Sequence, residues 1–218
     1  MITETPEYYY EIEESGSGKY AEKGSKFLAY SYIIKSSSVV KDMVLSLKKA
    51  NPKAAHVCYA YSVGTSDREI RSNDDGEPGG SAGLPILNEI KSREVTNILV
   101  AVVRYYGGTK LGVPGLIRAY KTSAGEAIDN GKPKMITPSV TVRIDFPMSE
   151  TGHLFHVLKR ANLSVDKVTY GDQPSLVTTI PTHEYEEKKI DVLARFHGYN
   201  PSEIDGTFES DKISFTLC

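Results

Sequence analysis

Two short stretches hold most of the residue types that could do chemistry. "SNDDGEPGGSAGLP", residues 72–85, sets Asp74, Asp75 and Glu77 among four glycines. "VVRYYGGTKLGVPG", residues 102–115, carries Arg104, Tyr105, Tyr106, Gly107, Gly108 and Lys110, and Arg118 follows closely. Glycine concentrated twice in this way gives the backbone conformations that other residues resist, so the turns themselves meet a requirement.

The second stretch leaves an apolar strand and enters a helix. Free backbone N–H groups at such a helix start can hold an anion. Arg104 and Lys110 add positive charge, and Arg can grip phosphate through two parallel hydrogen bonds. Tyr105 and Tyr106 alternate sides, so one packs inward and the other can offer a ring for stacking on a base. The competing reading is a tight left-handed turn at Gly107 and Gly108 with Tyr105 filling core. The spacing matches neither G-x-x-x-x-G-K-[ST] nor G-x-G-x-x-G, so nucleotide hydrolysis has no support.

The acidic stretch has three readings. Asp74, Asp75 and Glu77 can ligate a hard cation, although the D-x-D-x-D-G calcium spacing is absent. They can pair with Arg104, Lys110 or Arg118 and so hold the two loops together. They can also cap a helix starting near residue 82, at its positive end. Pairing or capping is favoured over metal, because no His or Cys cluster accompanies the acids. Glu150, His153 and His156 share a helical face without an evident fourth ligand. They are read as surface side chains, as are His183 and His197. Ser81 and Ser123 lack a G-x-S-x-G context, and His56 with Cys58 lacks a third orienting group. No catalytic residue, metal site or cofactor is assigned.

The elements that position these loops follow from periodicity. "TPEYYYEIE" (5–13) and "KFLAYSYII" (26–34) read as strands paired in a long hairpin. Residues 37–50 place Val40, Val44 and Leu47 at helical spacing, and 55–63 alternate as a strand with Val57, Tyr59 and Tyr61 on one face. A short partner strand is expected at 68–72. Leu84, Leu87 and Ile90 mark a helix after the acidic loop, and 96–106 is a central strand buried on both faces. A helix over 113–130 turns Leu116, Ile117, Tyr120 and Ala124 inward. Residues 131–138, with Gly, two Pro and two Lys, form a linker. Beyond it, strand 139–146, helix 149–161, strands 163–170 and 175–181, helix 184–197 and strand 207–217 give the order β-α-β-β-α-β, the ferredoxin-like unit. The chain is therefore α+β, with domains over 1–134 and 139–218.

Length and composition set the outer limits. The chain has 218 residues, 39% hydrophobic and 25% charged, enough for a real core and close to soluble globular averages. No apolar run reaches membrane-helix length and no signal-like start is present, so a cytoplasmic protein is expected. Cys58 and Cys218 stand too far apart for a disulfide scaffold or a zinc ribbon. Residues 1–138 hold 18 Lys/Arg against 16 Asp/Glu, and 139–218 hold 8 against 12. Within the first part, 91–134 hold 8 against 3, a net of +5 that favours a local anion site over bulk nucleic-acid binding.

"SNDDGEPGGSAGLPIL" and "RYYGGTKLGVPGLIRAY" resemble the paired motifs of the IMPACT family, densely over roughly residues 15–130. The family commonly has Ala at Gly79 and Gly at Pro114; Pro114 stiffens the helix start and removes one N–H. The resemblance implies a first domain similar to ribosomal protein S5 domain 2. It also implies a ferredoxin-like second domain, as in bacterial two-domain members, resembling domain V of elongation factor G. It implies a shared surface at Asp74, Asp75, Gly76, Glu77, Pro78, Arg104, Tyr105, Tyr106, Gly107 and Gly108. Eukaryotic relatives act in translational control, a role whose kinase partner system does not carry over to a bacterial-type chain. The expected function is a non-catalytic RNA- or ribosome-associated protein in translation regulation. Its expected partners are rRNA, tRNA, the ribosome or a translation-related protein, without a membrane. The alternatives are an enzyme using the acidic loop with Arg104 and Lys110, or a protein-binding regulator.

Overall fold

The structure, a computed structural model, describes residues 6–218, which divide into a unit over Tyr8–Ile136 and a unit built on Thr137–Cys218. The described residues form a mixed α+β structure with three sheets. The first unit runs β1 (Tyr9–Ile12), β2 (Gly16–Glu22), β3 (Ser25–Ile33), α1 (Val40–Ala50), β4 (His56–Val63), β5 (Glu69–Asn73), α2 (Gly83–Ser92), β6 (Ile98–Tyr105), α3 (Gly112–Asn130) and β7 (Pro133–Ile136).

Five strands form one antiparallel sheet in the order β2-β3-β6-β4-β5. The apolar run of β6 is buried at every residue but Tyr105. Such runs are usual in parallel sheets; here the strand is antiparallel, and helices cover both of its faces. On one face α2 and α3 bring Ile86, Leu87, Ile90, Leu116, Tyr120 and Ala124 against Phe27, Cys58, Val100 and Val102. On the other, Val40 and Val44 of α1 meet Val57, Tyr61, Leu99 and Val103. Two expected inward side chains turn out. Leu84 is 48% exposed and Ile117 is 39% exposed, because the tighter contacts go to Ile86 on α2 and Ala119 on α3.

The expected long hairpin is not formed. The first residue of the 5–13 stretch lies outside the described residues, and β1 pairs instead with β7, from Tyr9↔Ile136 to Ile12↔Pro133. So part of the expected linker is a strand. The hairpin partner of β3 is β2, joined at Lys23 and Gly24 with φ of 48° and 80°, the doubly left-handed turn that suits a two-residue hairpin. "GSGKYAE" reads weakly as a strand because glycine carries no side chain to pack. Those glycines let α3 lie close: a Cβ would come 2.1 Å from Ala127 O at Gly16 and 2.3 Å from Ser123 O at Gly18.

The second unit runs β8 (Ser139–Asp145), α4 (Thr151–Arg160), β9 (Lys167–Thr169), β10 (Ser175–Pro181), α5 (Tyr185–His197) and β11 (Ser214–Leu217). Its sheet is antiparallel, in the order β11-β8-β10-β9. Val142, Ile144 and Leu176 pack with Leu154 and Leu158 of α4 and Val192 and Leu193 of α5. The last strand is shorter than its expected span of 207–217. Asp205 Oδ1 accepts from Thr207 N at 2.9 Å and Ser210 Oγ accepts from Ile213 N at 3.1 Å. Such local side-chain bonds draw backbone away from a ladder.

Candidate functional site

The two glycine loops meet, and each acid of the first has a different task. Asp74 caps α2. Its Oδ1 accepts from Ala82 N at 3.0 Å and Gly83 N at 2.8 Å, and its Oδ2 accepts from Gly80 N at 2.9 Å. Burial pushes its pKa up, but the three N–H bonds outweigh this and hold it below the ordinary 3.8. The stabilisation is therefore complete above the ordinary aspartate range and is lost as pH falls through the depressed value. Asp74→Ala is expected to destabilise the protein by about 1–2 kcal/mol at neutral pH. The urea midpoints of variant and parent should converge in acid.

Asp75 sits at φ 44° and binds α1 and β4. Its Oδ1 takes the Lys48 ammonium, and its Oδ2 accepts from Val57 N at 2.7 Å. Its carbonyl bonds His56 Nδ1 at 2.8 Å. Glu77 goes inward. Its Oε1 accepts from Arg104 Nη1 at 2.5 Å and from the Tyr120 hydroxyl at 2.7 Å. The Arg104 and Glu77 side chains are 7% and 3% exposed, so this is a buried ion pair. The guanidinium lies over two rings, 5.5 Å from the centre of Phe27 and 5.6 Å from that of Tyr106.

The remaining residues of the second loop divide. Tyr105 packs toward α1 and donates to Asn51 Oδ1 at 2.6 Å. Tyr106 is 51% exposed. Gly107 donates from N to Ser25 Oγ at 3.1 Å, and Gly108 adopts φ 86°. Lys110 is exposed. Arg118 pairs with Glu22 of β2 at 2.7 Å. Arg104, Lys110 and Arg118 thus do not form one exposed cationic cluster, because Arg104 is consumed by Glu77 and Arg118 by Glu22. Among the described residues, no group of three or more His, Cys, Asp or Glu is placed to hold a metal ion. His153 bonds the Phe196 carbonyl at 2.9 Å.

Beside the joined loops lies a cleft of about 400 Å³, lined by Glu77, Arg104, Tyr106, Lys110 and the apolar Pro78, Leu111, Val113 and Leu116. Behind Glu77, Cys58 Sγ lies 3.3 Å from the Tyr120 hydroxyl and 3.0 Å from Asp74 O. Burial, aided by the nearby acids, pushes the Cys58 thiol up to about 12, so it holds almost no thiolate at neutral pH. Burial also raises Tyr120 far above the ordinary phenol range. From the sequence, His56 and Cys58 are set aside and Tyr120 is taken as core alone; with Lys48, which the sequence does not single out, they are structural partners of the acidic loop. Tyr120 could have been found as a long side chain with a polar tip on the inward stripe of α3.

The Impact N-terminal domain matches residues 23–128. The chain is 35% identical over 122 residues to the IMPACT family member YvyE of Bacillus subtilis, 56% of each chain. It is 36% identical over 108 residues to the IMPACT family member YigZ of Escherichia coli, 49% of this chain and 53% of that one.

The chain carries an Impact N-terminal domain.

The match spans about half the length of these curated relatives. The Impact N-terminal domain takes in both glycine loops and every partner of Asp74, Asp75 and Glu77 named above. A crystal structure of a hypothetical protein superposes with a TM-score of 0.59 at 25% identity, covering 88% of this chain and 95% of that one. Its likeness extends past the Impact N-terminal domain into the second unit. Among the described residues, no helix is long and apolar enough to cross a membrane.

Proposed function

We propose that this chain is a member of the IMPACT family and a non-catalytic RNA- or ribosome-associated protein acting in translation regulation. Its first domain is of the ribosomal protein S5 domain 2 type, and its second is ferredoxin-like and similar to elongation factor G domain V. The order β-α-β-β-α-β with sheet order β11-β8-β10-β9 supports the second assignment. The observation that carries the functional reading is the pairing of a half-exposed Tyr106 ring with an exposed Lys110 at one cleft. A ring beside a free cation is the elementary unit of single-stranded RNA binding, where the base stacks and the phosphate is neutralised. The acids of the first loop, by contrast, are spent on α2, on Lys48 and on Arg104, which favours a scaffold role over acid–base chemistry.

Lys110→Ala is expected to weaken single-stranded RNA binding and to reduce the log–log salt slope by about 0.7, the release from one phosphate contact. Fluorescence anisotropy across a salt series measures both. An unchanged slope removes this surface as the RNA site. A protein partner then becomes the better reading, since Val113 and Ile117 on the same helix are 47% and 39% exposed.

A further inference from the structure

Arg104 is 6% exposed, and its Nε has no hydrogen-bond acceptor among the described residues. Buried polar groups nearly always have a partner, and an unmet N–H on a charged group is the costliest exception. Among the described residues one other buried side-chain atom shares this state, Ser81 Oγ, but Ser81 does not line the cleft beside Arg104. The same cleft receives the start of α3 through Gly112 and Val113. That helix is 19 residues long, with no side-chain cap and no acidic residue in its first turn. α2, by contrast, has Asp74 bonded to its first N–H groups. Lys110 stands at the same opening, with no carboxylate in ion-pair range among the described residues.

We propose that this cleft binds the terminal phosphate of a nucleotide, with the base and ribose against Tyr106 and the apolar wall; the proposal rests on the RNA-associated reading above. Three kinds of donor belong to residues lining the cleft: Arg104, whose Nε–H lacks an acceptor, the N–H groups of Gly112 and Val113 that open α3, and the Lys110 ammonium. Glu77 opposes an anion but cancels only Arg104, which leaves Lys110 and the positive helix end in excess. A terminal phosphate carries about −1.5 to −2 charges at neutral pH and three strong acceptor oxygens, matching three donors. An internal phosphodiester has two free oxygens and sugars on both sides. Only a group entering end-on reaches a guanidinium as buried as Arg104. Pro78, Leu111, Val113 and Leu116 make the remaining wall apolar, and Tyr106 supplies a stacking ring. The volume of about 400 Å³ lies within the range of small-ligand sites.

The test titrates the ¹⁵N-labelled full chain with adenosine monophosphate and with inorganic phosphate while following the Arg104 Nε–H signal. The signal is expected to shift with both ligands. Tyr106→Ala should weaken the nucleotide about tenfold and leave inorganic phosphate unchanged, whereas Lys110→Ala should weaken both. Both side chains are exposed, so neither variant threatens folding. Single-stranded hexaribonucleotides with a 5′-phosphate or a 5′-hydroxyl then separate the two sources of the group. A 5′-phosphate preference of about tenfold assigns an RNA end, and equal binding with a continued nucleotide response assigns the free nucleotide. A Nε–H signal that ignores both phosphate ligands overturns the proposal, even if RNA binds elsewhere. If neither oligonucleotide binds but adenosine monophosphate shifts the signal, the RNA reading fails and the nucleotide site stands.

Discussion

Glu77→Ala is expected to destabilise the first unit by about 3–5 kcal/mol, the usual loss when one partner of a buried ion pair is removed. The variant leaves the Arg104 guanidinium over the rings of Phe27 and Tyr106 with no counter-charge. It also takes the acceptor from the Tyr120 hydroxyl, which is fully buried. Two penalties therefore fall on one substitution. Glu77→Gln should lose less, because an amide oxygen can still accept from Tyr120. The double variant Glu77→Met with Arg104→Met should recover the part of the loss due to the unpaired charge, since an apolar pair carries no desolvation penalty, while the Tyr120 hydroxyl still lacks its acceptor. Urea unfolding followed through the amide signals of β6 reports on this unit alone. A loss for Glu77→Ala within about 1 kcal/mol, as for an exposed pair, would mean that the pair does not hold the two loops together.

The same pair shows how far the sequence could be read. The acidic loop has pairing and capping among its sequence readings, and the structure uses both, Glu77 for one and Asp74 for the other. What periodicity could also have indicated is the depth of Arg104. It lies two residues after Val102 on β6, and alternation puts both side chains on the face packed by α2 and α3. A cation at the end of a buried run needs a buried acid, and the nearest acidic loop provides one. The identity of Lys48 as the partner of Asp75 is not legible, because the two are 27 residues apart and only the sheet brings α1 and the loop together. Likewise the Tyr120 hydroxyl reaches Glu77 across 43 residues of chain. Local pattern gives the faces of elements, while long-range partners depend on strand order. That order is hidden where β2, built around Gly16 and Gly18, gives too weak a strand signal to claim β3.

Gly107→Ala is expected to disrupt the first unit far more than Gly108→Ala, although the two residues are adjacent and both look like turn glycines. A Cβ on Gly107 would lie 1.9 Å from Gly24 C and 2.1 Å from Ser25 N. These are backbone atoms of the β2–β3 turn, so no side chain can rotate away. Gly24 itself adopts φ 80° and cannot shift without disturbing the hairpin. Separating the loop from the turn would also break the bond from Gly107 N to Ser25 Oγ. Overpacking against a side chain costs about 1–3 kcal/mol, and with rigid backbone as the obstacle the loss should exceed that range. Gly108 has φ 86°, and a Cβ there would meet nothing within 4 Å. Alanine at that position suffers only left-handed strain, about 1–2 kcal/mol. Paired urea midpoints decide the matter: equal, mild losses would show that the loop is not wedged against the hairpin. A large loss at Gly107 alone would mean that the turn opening the cleft is held by the β2–β3 hairpin as well as by the Glu77–Arg104 pair.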